Sequence, residues 1–341
     1  MRRRNSYIDI LKFIFAVIVV LRHAELAICG HLAVEFFFMV SGYFLAQKAN
    51  SYNSSIRIFD EVTVYTKKRY FSFLPYTFVA AILSLCCNFF FNKWSVKTLI
   101  LNIIYSIPDI MLLQMEGIPL YAATGVSLYL SALIITIVVF YPILLKKEIS
   151  PFVFGLISVS LYGFVLTNYG SLENPGKWLG LCYIGTLRAF AGVAAGTFLY
   201  FICEHLKKKQ FTIRINIGIT LICNIILFFC ISGMIKIKTA SISDIYIVGG
   251  LFISLISIFS EKNYLNTFFN HFNLSFFAEA SFAIYLGHFY VVTNIINCDW
   301  SLIKMVVVST VLIILCSSVI HFGGLFIKKI FVKILKAKGD N

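Results

Sequence analysis

Apolar runs long enough to cross a bilayer recur from one end of the chain to the other, and this restricts the fold more than any other feature. A hydrocarbon core about 30 Å thick takes about 20 residues of helix to cross, and a backbone inside it must satisfy its own polar groups. The runs are continuous rather than alternating, so helices and not barrel strands are expected. Of 341 residues, 60% are hydrophobic and 13% charged, against roughly 25% charged in soluble domains. The expected fold is all-α, a polytopic bundle of about ten spanning helices near 7–28, 32–48, 70–91, 124–145, 151–168, 182–203, 212–234, 244–260, 275–297 and 302–331. The chain reads as a single integral-membrane domain over 1–341, with no soluble domain and no cleavable leader ahead of the first helix.

Charge sets the orientation, because cytoplasmic loops collect Lys and Arg. Arg2-Arg3-Arg4, Lys67-Lys68-Arg69, Lys146-Lys147, Lys207-Lys208-Lys209 and the tail from Lys328 to Lys338 all fall on the side of the N-terminus, which places both termini in the cytoplasm. The net charge of +14 is therefore topological. Basic residues beside apolar runs, without an exposed aromatic stripe, do not read as a nucleic-acid surface. Nine scattered cysteines form no CxxC pair and no ligand-spaced cluster, so no metal site is expected. Thr98 to Met115, broken at Pro108-Asp109 and followed by Pro119, reads as a re-entrant or interfacial element, since a full crossing would invert every later loop. Ile56 to Lys68 reads as an amphipathic helix lying on the membrane.

Ionisable groups inside the spans are site candidates, because lipid tolerates none without a reason. Lys12 and His23 lie eleven steps apart in the first helix. Steps of about 100° return them to nearly one azimuth, about 16 Å apart along the axis. The first two helices run antiparallel about Cys29-Gly30-His31, which brings Glu35 level with His23. Glu35 either pairs with the imidazole, favouring its charged form, or caps the second helix near water. Arg188 stays charged and needs an anion, whether Glu35, Glu173 or a substrate. His288 sits mid-span with Tyr285 one turn away, and Asp9 is placed to pair with Lys12.

These residues carry a resemblance. The basic residue and histidine at Lys12 and His23, the run Val34-Glu35-Phe36-Phe37-Phe38-Met39-Val40-Ser41-Gly42-Tyr43, the entrance Arg69 to Pro75, Leu128 to Leu133, Arg188 to Gly196 and Ser281 to His288 together resemble the integral-membrane acyltransferases of family 3. One position departs from the pattern: Ser72 stands where the family has a second arginine. The resemblance implies a bacterial cytoplasmic-membrane O-acyltransferase that uses acyl-CoA, usually acetyl-CoA, to modify a carbohydrate or lipid-linked sugar of the cell envelope. Lys12, Lys67, Lys68 and Arg69 would hold the donor's phosphates. His23 would act as base or as a covalent relay with Glu35 orienting its ring, and Arg188, His288 and Tyr285 would face the acceptor. A proton-coupled carrier that exports a modified sugar or small acyl compound is the alternative from another class, although no inverted repeat supports it.

Overall fold

The structure, a computed structural model, describes residues 4–53, 55–116 and 124–337, with side chains through residue 330. Arg2, Arg3, Pro119 and Lys338 lie outside the described residues, as do the side chains of Lys333 and Lys336. The described residues form fourteen helices: α1 (Ser6–His23), α2 (Ala33–Asn50), α3 (Ile58–Phe91), α4 (Val96–Tyr105), α5 (Ile107–Ile110), α6 (Leu128–Lys146), α7 (Pro151–Tyr169), α8 (Ile184–Lys207), α9 (Ile213–Lys236), α10 (Asp244–Phe259), α11 (Tyr264–Phe269), α12 (Ser275–Gly287), α13 (Phe289–Ile296) and α14 (Leu302–Ala337). Every expected span falls on a helix or, for 275–297, on the pair α12 and α13. Among the described residues seven helices are long and apolar enough to cross a membrane, or eight when that bent pair counts as one. The remaining two expected spans are less apolar or shorter: α1 carries Asp9, Lys12 and Arg22, and α10 has 16 residues.

Two segments test the reading of the loops. The segment from α4 to Met115 does not cross: α4 is 10 residues long and buries none of them. It then turns inward beside α3, where the Ile110 carbonyl meets the Thr77 hydroxyl at 3.4 Å and the Met111 carbonyl accepts from the Tyr70 hydroxyl at 3.0 Å. That path turns back along α3 toward the interior of the bundle. The helix expected to lie flat over 56–68 instead runs on through Pro75 as one 34-residue helix. Its first turns are held upright by Glu61, which pairs with Lys48 of α2 at 2.9 Å and accepts from the Tyr141 hydroxyl of α6 at 2.8 Å.

The centre of the bundle is the crossing of α2 and α8, and it is set by glycines. A methyl group at Gly196 would collide with the Met39 carbonyl oxygen, and one at Gly42 with the Val193 carbonyl oxygen. Small residues let two backbones approach this closely, which is how helices associate where lipid supplies no hydrophobic drive. A backbone atom cannot swing aside as a side chain can. Gly196→Ala is therefore expected to cost about 1–3 kcal/mol, read as a lowered thermal midpoint in detergent. An unchanged midpoint would remove this crossing as the organising contact.

Candidate active site

A cavity of about 360 Å³ opens at the end of the bundle opposite the N-terminus. Its lining includes Arg22 and His23 from the end of α1, His31, Val34 and Phe38 from the start of α2, Tyr129 of α6, Arg188 of α8 and Tyr285 of α12. Phe38 packs on Tyr129 with ring centroids 4.7 Å apart, and Tyr129 on Tyr285 at 5.8 Å. One side of the cavity is thus aromatic and the rim is charged. Arg22 pairs with Glu173 at 2.5 Å, and His31 with the buried Asp244 at 3.2 Å.

His23 and His288 come together. Their ring centroids are 5.2 Å apart, and the Phe289 ring stands edge-on to His23 at 4.9 Å. His288 occupies the break between α12 and α13, where the helix axis bends by 49°. Local chemistry fixes the position of Phe289. Gly125, at φ +68, leaves room for that ring, and any Cβ there would run into it. Tyr285 is held by its own hydroxyl, which donates to the Val126 carbonyl at 2.7 Å.

Glu35 is not the partner of His23. Its carboxylate is fully buried against α8 and α7, where it takes the Arg188 guanidinium at 2.6–2.7 Å and the Tyr162 hydroxyl at 2.5 Å. The cause is helix register. Val34 and Phe38, one turn apart, face the cavity, and Glu35 lies a step of about 100° around the helix from Val34. Of the three anions open to Arg188, the structure gives it Glu35, and its remaining contact is the His31 carbonyl at 3.0 Å. Gly192 makes room for this pairing, since a Cβ there would stand 3.2 Å from the Glu35 carboxylate and 3.1 Å from the Tyr162 hydroxyl. Arg188 and Glu35 together form a strut under the cavity.

Two further cavities open at the N-terminal end. One, of about 270 Å³, is lined by Arg4, Asp9, Lys12, Tyr43, Phe44, Lys207 and Glu261 among others. The second, of about 440 Å³, is lined by Phe44, Lys48, Glu61, Tyr65, Lys68, Arg69 and Ser72 among others. Phe44 is common to both. Lys12 lies over its ring at 5.8 Å and pairs with Asp9 at 3.5 Å. Of the expected cation trio, Lys68 and Arg69 reach the cavity, whereas Lys67 is exposed outside its lining. Ser72 faces the same cavity as Arg69 and turns its hydroxyl back onto the Arg69 carbonyl at 2.7 Å, so the chain has a short polar group where the family's second cation would stand.

Sequence reasoning missed several of these residues. Lys207, whose run with Lys208 and Lys209 reads in the sequence as a topology signal, lines the cavity of Lys12 and donates to the Tyr43 hydroxyl at 3.2 Å. Arg22, His31 and Tyr162 carry no motif, and Tyr129 enters only as part of the run Leu128 to Leu133. Asp109 is buried and accepts from the Thr124 backbone at 2.8 Å and from the Ser127 hydroxyl, while Met115 N–H donates to Ser131 at 3.0 Å. These bonds tie the re-entrant segment to the start of α6 and bring Met115, Gly125 and Val126 to the cavity wall. The Pro108-Asp109 break was the available signal.

Apolar helices packed around an inward cavity lined by His23, His31 and Arg188 define a multi-pass membrane protein. A family model described as an acyltransferase domain matches residues 5–322, nearly the whole chain, and the protein belongs to acyltransferase family 3. It is therefore an acyltransferase. No curated protein and no solved structure matches the chain.

Proposed function

We propose that this acyltransferase moves an acetyl group from cytoplasmic acetyl-CoA to a hydroxyl of a carbohydrate or lipid-linked sugar across the bacterial cytoplasmic membrane. One observation carries the reading: Lys12 and His23, at opposite ends of α1, each line a cavity, the first together with Arg4 and Lys207 and the second together with His31 and Arg188, while His288 lies behind His23 outside the lining. Coenzyme A is rich in phosphate and its pantetheine arm is thin. Arg4, Lys12 and Lys207, with Lys68 and Arg69 across Phe44, suit the phosphates. Arg69 is well placed for this because its Nε meets the Tyr65 hydroxyl at 3.3 Å and not a carboxylate. The arm would then run beside Phe44, Ser41 and Phe37, successive turns of α2, over the roughly 16 Å that separate Lys12 from His23 at helical rise.

At the far end, His23 takes the proton of the acceptor hydroxyl as its oxygen bonds to the thioester carbonyl carbon. The carbon–sulfur bond then breaks, and the thiolate of coenzyme A leaves with the proton. In the relay form, the His23 nitrogen attacks first and the acyl-imidazole is opened by the hydroxyl. Tyr129 and Tyr285, with ring planes at 69° to one another, give the cavity an aromatic side against which the apolar face of a sugar ring can pack.

Purified protein in vesicles, supplied with labelled acetyl-CoA and envelope saccharides, is expected to release coenzyme A in an acceptor-dependent manner. Solute movement without donor consumption would instead indicate a carrier. Arg69→Glu is expected to raise KM for acetyl-CoA about tenfold, the equivalent of about 1.4 kcal/mol, with kcat little changed. Lys67→Glu, outside the cavity, serves as the control. Equal effects of the two substitutions would dissolve the proposed donor site.

A further inference from the structure

The inference rests on the reading of His23 as the reacting imidazole and concerns what orients it once Glu35 is committed to Arg188. His288 is completely buried at the break between α12 and α13, and its two ring nitrogens differ. Nδ1 lies 3.0 Å from the Ile284 carbonyl. A carbonyl only accepts, so Nδ1 carries the proton and Nε2 presents a lone pair. Among the described residues that Nε2 has no hydrogen-bond partner. A buried acceptor left unpaired is costly, and its presence directly behind a cavity-lining histidine calls for an explanation. The neighbouring ring is His23, at 5.2 Å between centroids. The two rings are tilted by 45° and not hydrogen-bonded as they stand, but they are close enough that turning the His23 ring brings one of its nitrogens within hydrogen-bond reach of Nε2.

We propose that His288 is the positioning residue of His23: with the His23 ring turned toward it, its Nε2 accepts the N–H of His23, holding that ring in one tautomer with the other nitrogen's lone pair toward the acceptor hydroxyl. The chain then runs from the Ile284 carbonyl through His288 and His23 to the substrate. In it His288 does the work a carboxylate does in a Ser-His-Asp triad, without placing an anion beside the reacting imidazole. During transfer the acceptor's proton arrives on the open nitrogen of His23 and leaves with the thiolate of coenzyme A, and His288 gains and loses no proton. Phe289, edge-on to His23, and Gly125, which makes room for Phe289, hold the two rings at this separation.

Two variants separate an acceptor from a spacer. Glutamine carries a carbonyl oxygen close to the position of Nε2, whereas leucine fills space and accepts nothing. In nanodiscs with ¹⁵N-labelled histidine, the His23 resonances, assigned by their loss in His23→Gln, are expected to report one neutral tautomer in the wild type and in His288→Gln, and a mixture in His288→Leu. Unchanged His23 tautomers in His288→Leu overturn the proposal. In turnover, His288→Leu is expected to lower kcat on the order of 100-fold with KM for acetyl-CoA unchanged, and His288→Gln to recover most of it. Equal losses in both variants would make His288 a packing residue and likewise overturn it. If the wild type transfers no acyl group, the functional reading fails, and the tautomer measurement still decides the dyad.

Discussion

His23→Ala is expected to reduce acyl transfer by 10²–10⁴-fold, the typical contribution of a positioned acid–base group and about 3–5 kcal/mol of barrier, with the protein folded and KM for acetyl-CoA near the wild-type value. The separation of the two effects follows from the layout. His23 is the last residue of α1 and lines the far cavity, where its neighbours are the His288 and Phe289 rings. The cations that suit the donor lie at the other end of the same helix. Losing the ring removes ring contacts and at most one neutral hydrogen bond, to His288, but no ion pair, so the thermal midpoint should fall by no more than the shift that about 1–3 kcal/mol produces. The measurement is label transfer from acetyl-CoA to saccharide by the purified variant, beside its midpoint and its donor affinity. Turnover near the wild-type rate in a folded variant would end the assignment of His23 as base or relay. The same preparation distinguishes those two roles. A relay leaves an acetyl group on His23 when donor is supplied without acceptor, detectable as a mass increment on its peptide, and a base does not.

Helical periodicity is a property of one segment, and what it could determine alone it determined. Lys12 and His23 were placed on one wall of α1, and both line cavities shared with α2. The continuous apolar runs located the helices, and the Pro108-Asp109 interruption marked the segment that turns back. Partners belong to neighbouring helices, and periodicity is silent about them. Equal depth made His23 the natural partner of Glu35, yet depth leaves the azimuth open by a full turn. Glu35 points to the side where Gly192 admits α8 to contact. Gly192-x-x-x-Gly196 is a small-residue pattern of the kind that brings membrane helices together, and it stands one turn beyond Arg188 on the same helix. That spacing was the available clue that the guanidinium and the carboxylate would meet. The amphipathic reading of 56–68 failed for a related reason: Lys48 and Tyr141, which hold Glu61, come from two other helices.

The strut formed by Arg188 and Glu35 predicts the second large effect, on stability. Arg188→Leu would leave the Glu35 carboxylate, fully buried, with the Tyr162 hydroxyl alone. Glu35→Leu would leave a guanidinium that is 4% exposed with only the His31 carbonyl. Removing one partner of a buried pair costs about 3–5 kcal/mol, because the survivor keeps its charge and loses its compensation, whereas replacing both with apolar groups is often close to neutral. Each single variant is therefore expected to fall sharply in thermal midpoint in detergent, and the double variant Glu35→Leu with Arg188→Leu to recover most of the loss. Arg188→Lys should not rescue, since an ammonium cannot span the Glu35 carboxylate and the His31 carbonyl as the guanidinium fork does. A double variant as unstable as the sum of the singles would show that the pair is not coupled. Its activity then carries separate information. Arg188 lines the cavity while its hydrogen bonds run to Glu35 and to the backbone. A refolded double variant that still transfers acetyl groups would make the guanidinium a strut alone, and one that is stable but inactive would place Arg188 against the acceptor or the developing oxyanion.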